Sequence, residues 1–278
     1  MSIGDFIAIL LAGIGAGTIN TVVGSGSLIT FPTLVALGYS PLIANVSNNI
    51  GLVPGSLSGA YGYRRELVGQ QARLKRLIPA SALGGLAGST LLLVLPSDVF
   101  DSVVIVLIVV ALTLVVLQPT ISKRVGARRL ARAEASGASG ASGASGASGV
   151  SGPASDAGFH RDVTPALMAI VAGAGIYGGY FGAAQGIILI AMLGIFIDDT
   201  LQRLNGCKNV LALTVNAVAS VVFVFTTEVD WAVVGVIAVG STIGGQIGAK
   251  VGRKLDPRIL RTIIVVVGLT ALVRLLTR

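Results

Sequence analysis

The chain has 278 residues, of which 12% are charged and 53% hydrophobic, and its mean hydropathy is +0.88. Soluble chains carry about 25% charged residues, so a soluble enzyme is excluded and a helical membrane protein with several spans is indicated. The net charge of +8 hints at nucleic acid, but the placement of the basic residues removes the hint.

Those residues fall mainly in three short stretches, Arg64 to Arg76, Lys123 to Arg132 and Lys250 to Arg261, with five in each. None is interleaved with aromatics as a nucleic-acid face would be. Short basic loops between apolar spans instead mark the cytoplasmic side of a membrane protein. The expected partners are therefore the lipid bilayer and a small solute, with no nucleic acid. A single cysteine, Cys207, rules out an internal disulfide, and the single histidine, His160, sits beside a linker. No metal site and no cofactor are expected. Gly13-Ile-Gly-Ala-Gly17 lacks the preceding strand and the following acid of a dinucleotide loop, and no Walker lysine, HExxH or GxSxG run is present. The chain is not read as an enzyme.

Ten apolar segments follow one another. The first, 5–23, has neither the positive flank nor the cleavage site of a signal peptide and reads as a retained helix. It runs into Thr18-Ile-Asn-Thr-Val-Val-Gly-Ser-Gly-Ser-Leu-Ile-Thr-Phe-Pro32, which packs hydroxyls, an amide, two glycines and a proline between hydrophobic flanks. Broken backbone at membrane depth is tolerated only where protein buries it or a wet cavity meets it. Asn20, Thr21, Gly24, Ser25 and Gly26 are therefore candidate substrate-binding residues. The second segment, 27–38, is short enough for a half-helix or one arm of a re-entrant hairpin. The third, 41–63, carries Asn45, Asn48 and Asn49 in an otherwise apolar span, where polar groups are costly and tend to face a cavity. Segments 77–95 and 102–118 complete this half.

Residues 136–157 repeat Ser, Gly and Ala with glycine at every third position, but the proline content is too low for a triple helix. This stretch reads as a flexible cytoplasmic linker between a first transmembrane repeat, 1–135, and a second, 158–278. The second half supplies segments 164–181, 183–197, 204–227, 231–249 and 259–275. The seventh segment is again short; it follows Gly178-Gly-Tyr-Phe-Gly182 and has Gln185 near its start. In the eighth lie Asn205, Lys208 and Asn209, with Asn216 deeper. Lys208 is the one cation assigned to neither a loop nor a chain end, so it is the natural counter-charge for an anion. In the ninth, Gly240, Gly244, Gly248 and Gly252 recur at every fourth position, the spacing of a helix-packing face. No Asp or Glu falls in mid-span, so a carboxylate proton relay has no carrier.

The halves correspond in detail. Asn45-Val-Ser-Asn-Asn49 matches Asn205-Gly-Cys-Lys-Asn209 at an offset of 160, and Gly84-Gly-Leu-Ala-Gly88 matches Gly244-Gly-Gln-Ile-Gly248 at the same offset. At 158, Gly24 falls on Gly182. The connectors Pro96 to Asp101 and Thr227 to Asp230 carry acids and are read as outside, whereas the basic loops are inside. The third segment then runs inward and its counterpart, the eighth, runs outward. An inverted repeat with interrupted segments at matching positions is the sequence signature of a secondary transporter's binding site.

Gly24-Ser-Gly-Ser-Leu-Ile-Thr-Phe-Pro32 resembles the first-repeat signature of the sulfite exporter TauE/SafE family, also called the 4-toluene sulfonate uptake permease family. Ala44-Asn-Val-Ser-Asn-Asn49, Pro54-Gly-Ser-Leu-Ser-Gly-Ala-Tyr-Gly-Tyr63 and Leu204-Asn-Gly-Cys-Lys-Asn-Val-Leu-Ala-Leu213 are similar to members too. The resemblance implies transport of a sulfur-containing organic or inorganic anion across the plasma membrane. It departs from the family pattern at Ser25 and Ser27 and at Ala183-Ala-Gln185, where glycine is usual. The expected fold is all-α and polytopic, with about eight to ten spans in two inverted repeats with interrupted helices. The expected site gathers Asn20, Thr21, Gly24, Ser25, Gly26, Asn48, Asn49, Gly182, Gln185, Asn205, Lys208 and Asn209 around a small anion. The alternatives are an anion channel of similar build and a non-transporting membrane scaffold.

Overall fold

The computed structural model describes residues 1–96, 99–100, 102–120, 127, 163–251 and 257–276. The expected linker 136–157, together with Asp98, Asp101 and Gly252, lies outside the described residues. The helices are α1 (Ile3–Val22), α2 (Ser27–Ala36), α3 (Pro41–Gly62), α4 (Gln71–Val94), α5 (Ser102–Thr120), α6 (Pro165–Tyr180), α7 (Gln185–Phe196), α8 (Leu201–Thr226), α9 (Trp231–Val251) and α10 (Pro257–Leu276). No strand occurs among the described residues. By length and composition, α1, α4, α5, α8 and α9 can each cross a membrane. The protein is an all-α, polytopic membrane protein.

Local sequence sets the helix starts in matching ways. Ser40 caps α3 by accepting from the Ile43 N–H at 3.4 Å, and Thr200 caps α8 by accepting from the Arg203 N–H at the same distance. Both hydroxyls satisfy a helix-start donor that has no intrahelical partner. The starts of α3 and α8, and of α4 and α9, are each 160 residues apart, while those of α2 and α7 are 158 apart. These are the two offsets of the sequence matches.

Small residues bring the long helices together and fix their directions. Gly13 meets Ile237 and Gly240, Gly17 meets Ser241, and Thr21 meets Gly248, so α1 runs parallel to α9. Gly51 meets Ile237 and Gly55 meets Ser241, so α3 is parallel to α9 as well. On the other side, Gly84 lies on Ala172 and Gly175 and Gly88 on Ile176, which makes α4 parallel to α6. The Ser81 hydroxyl donates to Leu211 O at 3.0 Å and Gly85 meets Val215, so α4 is parallel to α8. Between these groups α3 runs antiparallel to α8, with Asn49 beside Ser220, Ser56 beside Asn216 and Tyr63 beside Asn205. Three helices of the first half thus point against their counterparts: α1 against α6, α3 against α8, α4 against α9. The first helix of each half also packs on the fourth of the other, which interlocks the two.

One end of the bundle is fastened by charge. Arg73, 3% exposed, donates through Nη1 to Asp199 Oδ2 at 2.8 Å and to Gln70 Oε1 at 2.6 Å. Arg203 Nε reaches Asp199 Oδ1 at 2.9 Å, and its Nη1 donates to Val68 O at 2.9 Å. Gln70 Nε2 closes the ring on Arg203 O at 2.9 Å. Burial pushes the Asp199 carboxyl up, but the hydrogen bonds from Arg73 and Arg203 outweigh it and hold the group below the ordinary carboxylate range. The sequence reading assigned Arg73 to a basic loop; it sits instead inside α4 and ties the halves together. The opposite end, where α4 and α8 finish, has Ser47 Oγ near the Asp230 N–H at 3.4 Å as its tie between the start of α3 and the start of α9.

Candidate functional site

The two interruptions are built alike. At the end of α1, the N–H groups of Val23 and Gly24 both donate to Ile19 O, at 2.7 and 3.0 Å. At the end of α6, those of Phe181 and Gly182 both donate to Tyr177 O, at 3.0 and 3.2 Å. Gly24 and Gly182, the donors of the longer bonds, then turn the chain with φ of +87° and +76°, the left-handed region that glycine enters without steric cost. Each chain then reverses into a short helix, α2 or α7. Gly26 and Ala184 form the N-caps with no side-chain hydrogen bond to the helix start. Ala184 does so at φ +62°, a conformation that costs a residue with a Cβ about 1 kcal/mol or more.

The breaks touch. The Gly186 N–H donates to Gly24 O at 3.0 Å, and a Cβ on either glycine would run into the Cα of the other. Ser27 Oγ comes up to Gly182, and the rings of Phe31 and Phe181 meet edge-on with centroids 5.2 Å apart. Gly26 lies against Ala16 O, next to Gly17, which meets Ser241 half-way along α9. The contact is therefore deep in the bundle. Ser25 is 1% exposed and Gln185 3% exposed, yet Ser25 Oγ and Gln185 Nε2 have no hydrogen-bond partner. The hydroxyl of Tyr180, at the end of α6, is buried and unpartnered too. An unmet buried donor costs about 1–3 kcal/mol; Ser25 and Gln185 sit next to the two glycines in contact, whereas the Tyr180 ring packs against Phe100, with centroids 5.8 Å apart.

The remaining expected site residues are arranged around the ends of α1 and α6, and most are engaged with the protein itself. Lys208, 1% exposed, directs Nζ onto Asn20 O at 3.0 Å and Thr21 O at 3.2 Å. Asn205 Nδ2 and Asn209 Nδ2 also donate to Thr21 O, at 3.2 and 3.3 Å. These carbonyls belong to the last turn of α1, whose donors ran out at the break, and a cation there also opposes the negative end of the helix dipole. In the mirror arrangement Asn45 Nδ2 donates to Tyr180 O at 3.0 Å, at the end of α6. Each half therefore caps the interrupted helix of the other. Asn48 Oδ1 accepts from Thr30 Oγ1, and Asn49 Oδ1 from Ser220 Oγ at 3.2 Å. Asn20 Nδ2 and Asn216 Nδ2 share Ser56 Oγ, both at 3.3 Å.

Of the twelve expected residues, Gly24, Ser25, Gly26, Gly182 and Gln185 come together at the crossing. Asn20, Thr21, Asn205, Lys208 and Asn209 form the α1 cap, and Asn48 and Asn49 lie on α3 beside α2 and α8. The expectation that Lys208 offers its charge to a solute meets a competing use, since two of its three N–H donors are on helix carbonyls. The sequence alone did not single out Ser56, Tyr63 and Ser220, which become visible only once α3 and α8 are side by side, or Thr30, which needs α2 laid against Asn48 of α3. Among the described residues no group of three or more His, Cys, Asp or Glu could hold a metal ion.

A bundle of apolar helices with two buried breaks in contact belongs to the class of multi-pass membrane transporters rather than to soluble enzymes. The comparisons agree. The family model described as "Sulfite exporter TauE/SafE" matches residues 9–275. The chain belongs to the sulfite exporter TauE/SafE family. It is 23% identical over 273 residues to a protein of Escherichia coli K12 named "Probable membrane transporter protein YfcA", covering 98% of this chain and 87% of that one. To a Sinorhizobium protein named "Probable membrane transporter protein ORF9" it is also 23% identical, over 94% of this chain and 88% of the other. No solved structure matches the chain.

Proposed function

We propose that the protein is a secondary transporter for a small sulfur-containing anion, sulfite or an organosulfonate, in the plasma membrane, and that the anion sits where the two breaks cross. The observation that carries this reading is the pair of buried donors without partners, Ser25 Oγ and Gln185 Nε2, at the starts of two half-helices in contact. Helix N-termini carry partial positive charge, so two of them at one point suit an anion. Lys208 adds positive charge one layer behind, at the end of α1. Among the described residues no buried Asp or Glu opposes it. The choice of sulfur chemistry comes from the family's description, not from the geometry. The opposed directions of α1 and α6, α3 and α8, and α4 and α9 support residues 1–135 and 158–278 as inverted repeats that rock about the crossing.

The test is flux of sulfite and small sulfonates into vesicles reconstituted with the full chain, compared with Ser25→Ala and Gln185→Leu. Losing one hydrogen bond to a charged ligand, about 1.5–3 kcal/mol, should raise the half-saturating concentration by about 10- to 150-fold. Wild-type transport by both variants would remove the crossing from the site. Flux that follows the imposed gradient with no coupling would make the protein a channel of the same build.

A further inference from the structure

The end of the bundle that holds Arg73 and Arg203 carries a cleft that the transport reading leaves unused. It lies between the end of α3, the turn that follows, and the last turns of α9, and has a volume of about 380 Å³. It opens where two packed helices part: α3 and α9 are in contact through Gly55 on Ser241 and Gly62 on Ala249, and beyond Gly62 the chain turns away. Arg64, Arg65 and Lys250 line it against one carboxylate, Glu66. The Arg64 guanidinium lies 4.4 Å above the Tyr61 ring centroid and donates to Tyr61 O at 3.2 Å, which keeps its charge at the rim. Tyr61 itself is exposed, the usual station of a tyrosine at a membrane interface.

A second groove, of about 420 Å³, continues from the cleft along the outer face of α9, past Ile243, Ile247 and Val251. Gln246 and Lys250 line both. A net-positive head site at the cytoplasmic boundary thus leads into an apolar trough facing the lipid. The geometry points to a binding site for one anionic phospholipid of the inner leaflet, its phosphate between Arg64, Arg65 and Lys250 and an acyl chain along α9. Basic recesses between helix ends on this side suit anionic headgroups. A zwitterionic lipid brings its own cation to a net-positive cleft, and a free phosphate gains nothing from the trough. The inference is independent of the solute that is carried.

The test uses the purified full chain in detergent, titrated with phosphatidylglycerol or phosphatidylcholine and read by native mass spectrometry. A net two basic charges near the surface predict about 30-fold tighter binding of phosphatidylglycerol. That preference should vanish in R64Q/R65Q/K250Q and weaken with salt, and Ile247→Trp, which fills the trough without changing charge, should weaken both lipids. Equal binding of the two lipids by the wild type would overturn the inference. So would an undiminished preference in the triple variant, or displacement of the lipid by millimolar inorganic phosphate. Melting of each variant in lipid-free detergent separates lost binding from lost folding, and Ile247→Trp keeps the question open to refutation if the triple variant does not fold.

Discussion

Replacing Asp199 by Asn removes the carboxylate that pairs with Arg73 at 2.8 Å, and the structure sets the size of the loss. The Arg73 side chain is 2% exposed and that of Asp199 9%, so the change takes a charged partner away from a buried guanidinium. Breaking a buried pair from one side costs about 3–5 kcal/mol. Arg203 contacts the same carboxylate, but its side chain is 26% exposed, so Arg203→Gln should cost under about 1 kcal/mol. Replacing both buried partners, Arg73→Met with Asp199→Leu, should recover most of the stability because the charge it leaves behind, Arg203, is partly exposed rather than buried. Reversible unfolding in detergent, with thermal melting as a second readout, measures all three. The reasoning fails if Asp199→Asn and Arg203→Gln cost the same, or if the double apolar variant is the least stable. The pH dependence has a definite sign. Because the folded-state pKa of Asp199 lies below its unfolded value, the contribution is full above about pH 4 and is lost as the pH falls through the folded value.

Two further outcomes follow from the breaks. Gly186→Ala puts a Cβ into the Cα of Gly24, and since neither backbone can withdraw without parting α2 from α7, the variant should fail to assemble, seen as loss of folded protein in the membrane; normal yield and melting would refute the close crossing. Lys208→Met removes two hydrogen bonds and a charge from the end of α1, which should cost about 1–3 kcal/mol while changing the half-saturating anion concentration less than threefold. Unchanged melting with a tenfold weaker anion dependence would instead make Lys208 a direct ligand.

Much of the architecture could be read from hydropathy alone, because a bilayer forces every backbone group into a helix and so marks each helix by its apolar length. The short segments at 27–38 and 183–197 were visible for the same reason and became α2 and α7 with their ends moved by about a turn or less. The breaks were legible because glycine, serine and an amide have no other use between apolar flanks. What the sequence concealed was pairing across the halves. Lys208 reads as a free cation until the end of α1 is laid against it, and only then do Asn20 and Thr21 appear as carbonyls short of donors. Arg73 lies in a run of basic residues that all look alike, and nothing local distinguishes the one that Asp199 draws into the bundle. The packing role of Gly240, Gly244 and Gly248 was visible from spacing, whereas their partners, Ile14 and Thr18 on α1 among them, were not.

The crossing can be probed by a single thiol. With Cys207 replaced by Ser, Ser25→Cys places the chain's only cysteine beside Gly24 and Gly186 at the contact of the two half-helices. If an anion alternates between the membrane faces at that point, alkylation should proceed from either side of sealed vesicles and slow when the transported anion saturates the protein. Alkylation at a rate indifferent to that anion, or confined to one face while transport continues, would contradict the account.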